Sequence, residues 1–373
     1  MQRILRALLL AVLFVGDASA FSWNGAKEQQ LLTLLRNYQT LRQPSVLSAS
    51  VTVRGSVVFA GSVHPNSELI PNGGRILHRI GSVTKQFTAA GILALIEDQA
   101  IVPFSGKPLT LDTSLDDFFT DIPQWHYGGT NTVRRLLTMR SNIPDYLGDP
   151  AGISVSMGPM KAWNILQQIK KYSPIGPPLS YAYSNSNYFL LSQIIQTMTN
   201  AGKPSTNPAY QNYVRARILD RAAMQDTRFI GETPLAGAAV APPGLFAPAR
   251  FDKPDWPLGA GDLVNSVADM AKWNTALFGG NVIGSVALQA LLNPAAQVSS
   301  GPYSGCAYAM GWFVCNFPAM QVYQHEGKIS GFMASNAVAK SQAGGWASVT
   351  TMANTDAAED IALLTRAILQ LAQ

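Results

Sequence analysis

The chain has 373 residues, 47% hydrophobic and 13% charged, a composition that supplies a large core and excludes a disordered or fibrous protein. Its length fits one large domain or two intimate ones. The 27 Lys and Arg outnumber the 22 Asp and Glu to leave a net charge of +5, but the basic residues are scattered and form no run of the kind that binds nucleic acid, so no nucleic-acid partner is expected.

In chain order, the first twenty residues carry the three parts of a secretory signal. Arg3 and Arg6 come first, then the apolar stretch Ala7 to Val15, then Ala18-Ser19-Ala20 as a small-residue cleavage site. The apolar stretch is far shorter than the roughly 20 residues a bilayer requires, and no later segment is long enough. The only cysteines are Cys306 and Cys315, so nothing near the cleavage site would carry a lipoprotein's acyl chain. The expectation is residues 1–20 removed, a mature chain from Phe21, a periplasmic or secreted location and no stable membrane insertion.

Leu31, Leu34, Leu35 and Leu41 recur at helical spacing, which predicts an amphipathic helix over Ala26 to Leu41. Two β-rich runs, Val46 to Val53 and Val57 to Val63, flank Arg54-Gly55-Ser56 and read as a hairpin. Ser82 to Gln99 is apolar nearly all round, as a helix in the middle of a protein is. From about 110 to 235 the chain offers helical pieces joined by Pro-rich or Gly-rich connections, and Leu235 to Pro257 reads as a long surface loop.

Strand signals return at Tyr308 to Val314, Met320 to His325, Phe332 to Ala339 and Trp346 to Met352, before an amphipathic helix over Ala358 to Leu371. Strands from both termini with helices between predict an α/β (α+β) fold: an antiparallel sheet flanked by helices and interrupted by an all-helical part. The expected division is α/β over about 21–110 and 258–373 and helical over about 111–257. An oxidising compartment permits a Cys306–Cys315 bridge, but a strand over Ala307 to Val314 would hold its ends about 30 Å apart and argues against one.

Several chemistries are excluded by motif. The histidines are His64, His78, His126 and His325, and His325-Glu326 is followed by Ile329 where a zinc helix would place its second histidine. No metal site is readable and no cofactor is expected. A G-x-S-x-G elbow, a Walker loop and G-x-G-x-x-G are all missing. Nucleophilic catalysis of another kind remains, with three clusters as candidates.

The first is Gly81-Ser82-Val83-Thr84-Lys85. A spacing of three puts Ser82 and Lys85 on one helical face, where the amine can take the hydroxyl proton once burial and the positive helix end have lowered its pKa. A Ser N-cap beside a snorkelling lysine is the plain alternative. The second is Tyr183-Ser184-Asn185 before the apolar helix Tyr188 to Met198: a phenolate-capable Tyr can act as base and acid, and the Asn amide can hold a substrate carbonyl while restraining the lysine. An Asn/Ser turn capping that helix is its structural reading, and Tyr210-Gln211-Asn212 has the same spacing inside a helix-like run. The third is His325-Glu326-Gly327-Lys328 at a strand end, where Gly327 would let a substrate lie against the strand and the next N–H could complete an oxyanion hole with that of Ser82. His126-Tyr127-Gly128 competes on pattern in loop-like surroundings.

Taken together and in this order, the clusters resemble the serine β-lactamase and penicillin-binding-protein superfamily, closest to its class C β-lactamase, DD-peptidase and esterase branch. Leu136 to Asp145 (LLTMRSNIPD) is similar to that family's L-L-x-H-x-S-G-I-P-D segment, and Gly259 to Ser266 (GAGDLVNS) to its G-x-G-x-L-x-S-T stretch. The resemblance runs from about residue 46 to the end and implies a β-lactamase/transpeptidase-like fold with the active site between the sheet and the helical part. It implies Ser82 as acyl-enzyme nucleophile, Lys85 and Tyr183 as proton carriers, Asn185, His325, Gly327 and Lys328 as substrate-binding residues, and the N–H groups of Ser82 and Lys328 as oxyanion hole. Lactamases of this branch have Lys where His325 stands and usually Thr where Glu326 stands. His-x-G variants resemble DD-peptidases, D-aminopeptidases and esterases, so an ester, amide or D-amino-acid peptide is implied ahead of a β-lactam.

Two hypotheses follow: an exported serine hydrolase acting on a small ester, amide or peptide, or a non-catalytic relative whose cleft binds a peptidoglycan-type ligand or a protein partner. The joint presence of Ser82, Lys85, Tyr183 and Asn185 favours the enzyme, because a binding cleft has no need of a proton-transfer set.

Overall fold

The computed structural model describes residues 21–66, 68–70, 73–119, 122–147, 161–200, 208–232, 256–329, 331–355 and 360–373. The signal-like segment lies outside the described residues, as does most of the Ala/Pro-rich stretch. The end of that stretch, Trp256 and Pro257, is buried instead of forming surface loop.

Helix α1 (Gly25–Arg42) starts where Asn24 Oδ1 accepts the N–H of Lys27 and stops at the left-handed Gln43. Strands β1 (Leu47–Val53) and β2 (Ser56–Val63) close on Arg54-Gly55. Both turn residues have positive φ, 51° and 84°, the conformation whose twist suits a two-residue hairpin. After the short β3 (His78–Arg79) and a 3-10 turn over Gly81–Thr84 comes α2 (Lys85–Glu97), buried at every position from Lys85 to Leu95. The helical part supplies α3 (Val133–Leu137), α4 (Ala162–Ile169), α5 (Asn185–Thr199) and α6 (Pro208–Val214), which runs into a π-helical turn. The short strands β4 (Arg228–Phe229) and β5 (Leu263–Asn265) follow, then α7 (Val267–Phe278) and α8 (Ser285–Leu292).

The remaining strands are β6 (Ala296–Gln297), β7 (Ala307–Tyr308), β8 (Phe313–Phe317), β9 (Met320–Ile329), β10 (Phe332–Ser341) and β11 (Trp346–Ala353), before α9 (Ile361–Leu371). They join the N-terminal hairpin in one eight-stranded sheet of order β2-β1-β11-β10-β9-β8-β7-β6. Every neighbouring pair is antiparallel. Period-two alternation sorts the two faces. Met333, Ala337 and Ala339 of β10 join a core with Leu31 and Leu35 of α1 and Ile361 and Ile368 of α9. Ala334 and Val338 join the larger core that holds α2 and α5. Gln86 of α2 ties that core to the sheet, its Oε1 accepting from Trp273 Nε1 at 3.2 Å and Asn336 Nδ2 at 3.0 Å.

Cys306 and Cys315 form a disulfide, against the expectation from a single strand. The run Ala307 to Val314 folds back on itself, with Gly311 at φ 80° in the turn, so Ala307 pairs Val314 and Tyr308 pairs Phe313. The cysteines therefore face each other across β7 and β8 with Cα atoms 4.5 Å apart. Among the described residues no helix is long and apolar enough to cross a membrane, and no cluster of three or more His, Cys, Asp or Glu is placed to hold a metal ion.

Candidate active site

The turn that carries Ser82 is pinned from behind by the small sheet β3-β5-β4: Ile80 N donates to Leu263 O at 3.1 Å and Leu263 N to Thr84 Oγ1 at 3.2 Å. From the front it is met by β9. The last β9 residue paired with β8 is Gln324, opposite Phe313, so His325 to Ile329 have β10 on one side and the Ser82 turn on the other. The approach is too close for side chains. A Cβ on Gly327 would lie 1.8 Å from Ile80 O and 2.9 Å from Ser82 N, and one on Gly81, whose φ is 49°, would lie 2.9 Å from Lys328 N. Gly327 is thus explained by strand against turn, a tighter demand than the substrate clearance the sequence suggested. It brings the backbone of Ser82, at the positive end of α2, beside that of Lys328.

Lys85 is fully buried on the first turn of α2. Its Nζ donates to Ser82 Oγ at 2.8 Å, Asn185 Oδ1 at 2.8 Å and Ala260 O at 2.9 Å. Burial pushes the amine down to about 7, against the opposing pull of the Asp145 and Asp262 carboxylates. Near neutral pH a large fraction of Lys85 is therefore the neutral base that the snorkelling alternative lacks.

Tyr183 arrives on the extended segment before α5, its ring 5.0 Å from Lys85 Nζ and its hydroxyl within electrostatic reach of Ser82. Burial pushes its hydroxyl well above the usual tyrosine range, and the nearby Ser82 only partly offsets this. The phenolate role open to it on sequence grounds is thus disfavoured, because its hydroxyl stays protonated.

The segment Ser141 to Asp145 holds this loop in place. Asn142, left-handed at φ 61°, gives its Nδ2 to Ile175 O at 2.8 Å and Pro177 O at 2.9 Å and takes Leu179 N on Oδ1 at 2.9 Å. Asp145 Oδ2 accepts from Asn185 Nδ2 at 2.8 Å, which turns the amide oxygen toward Lys85. Asp145 and the backbone oxygen of Ala260 belong to the site although sequence reasoning assigned them no role. Their only signal was membership of the two matching segments. Asp262, two residues on from Ala260, is buried and its carboxyl is raised by burial to about 8.

His325 is 2% exposed, packed against Tyr183, Tyr308 and Phe313 with ring centroids 6.0, 6.0 and 5.2 Å away. Its Nδ1 is 2.6 Å from Glu326 O. Burial, reinforced by Lys85, lowers it to about 3. His325 is therefore neutral throughout the working range. Glu326 points away from it, accepting from Tyr303 Oη at 2.6 Å. The two rival motifs stay apart from this cluster: His126 pairs with Asp116 on the surface at 2.9 Å, and Tyr210 is buried with Oη 3.1 Å from Thr88 Oγ1.

A family model described as Beta-lactamase matches residues 34–373. The chain is 27% identical over 308 residues to the unguisins hydrolase ungD' of Aspergillus campestris (strain IBT 28561), a match covering 78% of this chain and 54% of that protein. It spans about half the length of the first curated relatives it matches. The octameric penicillin-binding protein homologue from Pyrococcus abyssi superposes with a TM-score of 0.73 at 21% identity, covering 93% of this chain and 77% of that one. The D-amino acid amidase from Ochrobactrum anthropi SV3 superposes with a TM-score of 0.69 at 22% identity, covering 91% and 97%. These superpositions establish a shared fold.

Proposed function

The chain belongs to the beta-lactamase family, and from that premise we propose that it is an exported serine hydrolase that cleaves a small ester or amide, a D-amino-acid peptide included, through an acyl-enzyme on Ser82. The observation that carries the reading is Lys85 Nζ, 2.8 Å from Ser82 Oγ and with its pKa lowered to about 7. Relatives named as a hydrolase and an amidase support an ester or amide bond. The Cys306–Cys315 disulfide supports an oxidising compartment and hence the export read from residues 1–20.

Lys85 takes the proton as Ser82 Oγ attacks the substrate carbonyl, whose oxygen becomes an anion held by the N–H groups of Ser82 and Lys328 at the head of α2. When the tetrahedral adduct collapses, the bond to the leaving oxygen or nitrogen breaks. Tyr183 Oη protonates that atom and is refilled from the Lys85 ammonium. Water then attacks the ester on Ser82, giving its proton back through the same groups, and releases the acid with Ser82 restored. Asn185, held by Asp145, keeps Lys85 aimed and offers its amide to the substrate, with His325 and Gly327 lining the strand side between the sheet part (about 21–110 and 258–373) and the helical part (about 111–257).

A neutral His325 offers no fixed cation to a β-lactam carboxylate, which favours esters and amides. Turnover of a short-chain p-nitrophenyl ester, nitrocefin and a D-Ala-D-Ala peptide by the purified protein tests this. The expected result is a kcat/KM for the ester above that for nitrocefin; hydrolysis of none of the three would overturn the reading.

A further inference from the structure

A cavity of about 320 Å³ lies between the segment leading to Tyr183 and the edge strand β6, lined by Arg140, Ser180, Tyr181, Gln297 and Ser299 among others. Tyr181 stands two residues before Tyr183 on the same extended segment, and alternation turns both side chains to one side. Both rings rest on Tyr308, with centroids 5.7 Å and 6.4 Å from it, so the cavity lies on the same side of the segment as Tyr183.

The polarity of this cavity is specific. Among the described residues Arg140 is its sole charged lining residue and no carboxylate lines it, while Ser180, Gln297 and Ser299 add neutral hydrogen-bonding groups. The guanidinium is half-buried and aimed by one bond, Nε to Leu179 O at 2.9 Å. Arg134 answers Asp112, Arg215 answers Glu232 and Arg217 answers Asp98. The Nη groups of Arg140, in contrast, have no hydrogen-bond or ion-pair partner among the described residues. An oriented guanidinium with its outer donors open is the fork that a carboxylate fills with two parallel bonds.

We propose that this cavity is a substrate subsite that selects esters or amides bearing a carboxylate, with Arg140 as its specificity-determining residue. The proposal rests on the hydrolase reading above and names its substrate class: acids with a free carboxylate on one side of the bond that is cut. It also places anion recognition away from β9, where His325 is neutral.

The test compares two ester series, in wild type and in Arg140→Gln. One carries the acid on the acyl side, as mono-p-nitrophenyl esters of dicarboxylic acids from succinate to suberate, set against monocarboxylic esters of matched length. The other carries it on the leaving group, as butyryl esters of 4-hydroxybenzoate set against 4-hydroxybenzamide. In at least one series the wild type should prefer the acidic partner by about tenfold or more in kcat/KM, and Arg140→Gln should cut that ratio by about ten- to a hundredfold through KM. Arg140→Lys should restore part of it, and about 0.5 M salt should shrink it. A merely structural Arg140 would lower both members of a pair together and leave the ratio intact. Esters turned over with a ratio that Arg140→Gln does not change in either series would overturn the subsite and leave the hydrolase reading standing. No turnover of any ester by wild type would overturn both.

Discussion

Replacing Lys85 by Met tests the state of the amine separately from catalysis. In the folded protein burial holds the amine at about 7, against 10.5 for an ordinary lysine. At 1.36 kcal/mol per pH unit the gap corresponds to about 5 kcal/mol of differential interaction. The folded-state pKa lies below the unfolded one, so between pH 7 and 10.5 the unfolded chain binds a proton that the folded chain has released, and stability must rise with pH across that window. Below pH 7 both states are protonated and the full penalty of the buried charge is present.

Between pH 7.5 and 9.5 the wild type should therefore gain about 2.5 kcal/mol over Lys85→Met. The loss of the Asn185 and Ala260 partners in the variant is independent of pH and cancels in that difference. Urea unfolding at the two pH values measures it, best with Asp262→Asn in both proteins, because the Asp262 carboxyl at about 8 titrates nearby. In parallel, kcat/KM of the wild type on an ester should climb with unit slope and level off near pH 7. A relative gain under about 0.5 kcal/mol would mean an amine of ordinary pKa, protonated throughout, and would refute Lys85 as the base.

Tyr183→Phe should fold normally and lower kcat by about a hundredfold or more, since it removes the proton donor at Ser82; full activity on an ester would make Tyr183 structural. Asp145→Asn should cost about tenfold in kcat/KM and move the rising limb of the pH profile to lower pH, because Asp145 raises the Lys85 pKa; an unmoved limb would take Asp145 out of the site. Gly327→Ala should destabilise the fold by about 3 kcal/mol or more and abolish ester turnover, given the 1.8 Å approach of the new Cβ to Ile80 O, and a melting curve like wild type would show that β9 does not press on the Ser82 turn.

The sequence made local chemistry readable and left long-range contacts hidden. Ser82 and Lys85 are one helical turn apart, so their meeting follows from periodicity alone. The frame of Leu-rich helix, hairpin and late strands follows from apolar period in the same way, since each pattern spans a single element. The Asp145 to Asn185 bond and the Ala260 contact to Lys85 join residues 40 and 175 positions apart, and no local pattern encodes such a meeting. The protonation states of His325 and Tyr183 were hidden because they depend on burial among aromatic rings such as Tyr308 of β7 and Phe313 of β8, which come from elsewhere in the chain. The disulfide was missed because apolar residues continue across Gly311, so AYAMGWFV gives no sign of the fold-back that brings Cys306 to Cys315.

The central claim is that Ser82 becomes acylated, and intact-mass analysis after treatment with a fluorophosphonate tests it most directly. The wild type should carry a single adduct and Ser82→Ala none, with the labelling rate of wild type falling as pH drops below 7 and Lys85 is protonated. Equal labelling of wild type and Ser82→Ala would contradict the assignment of the nucleophile.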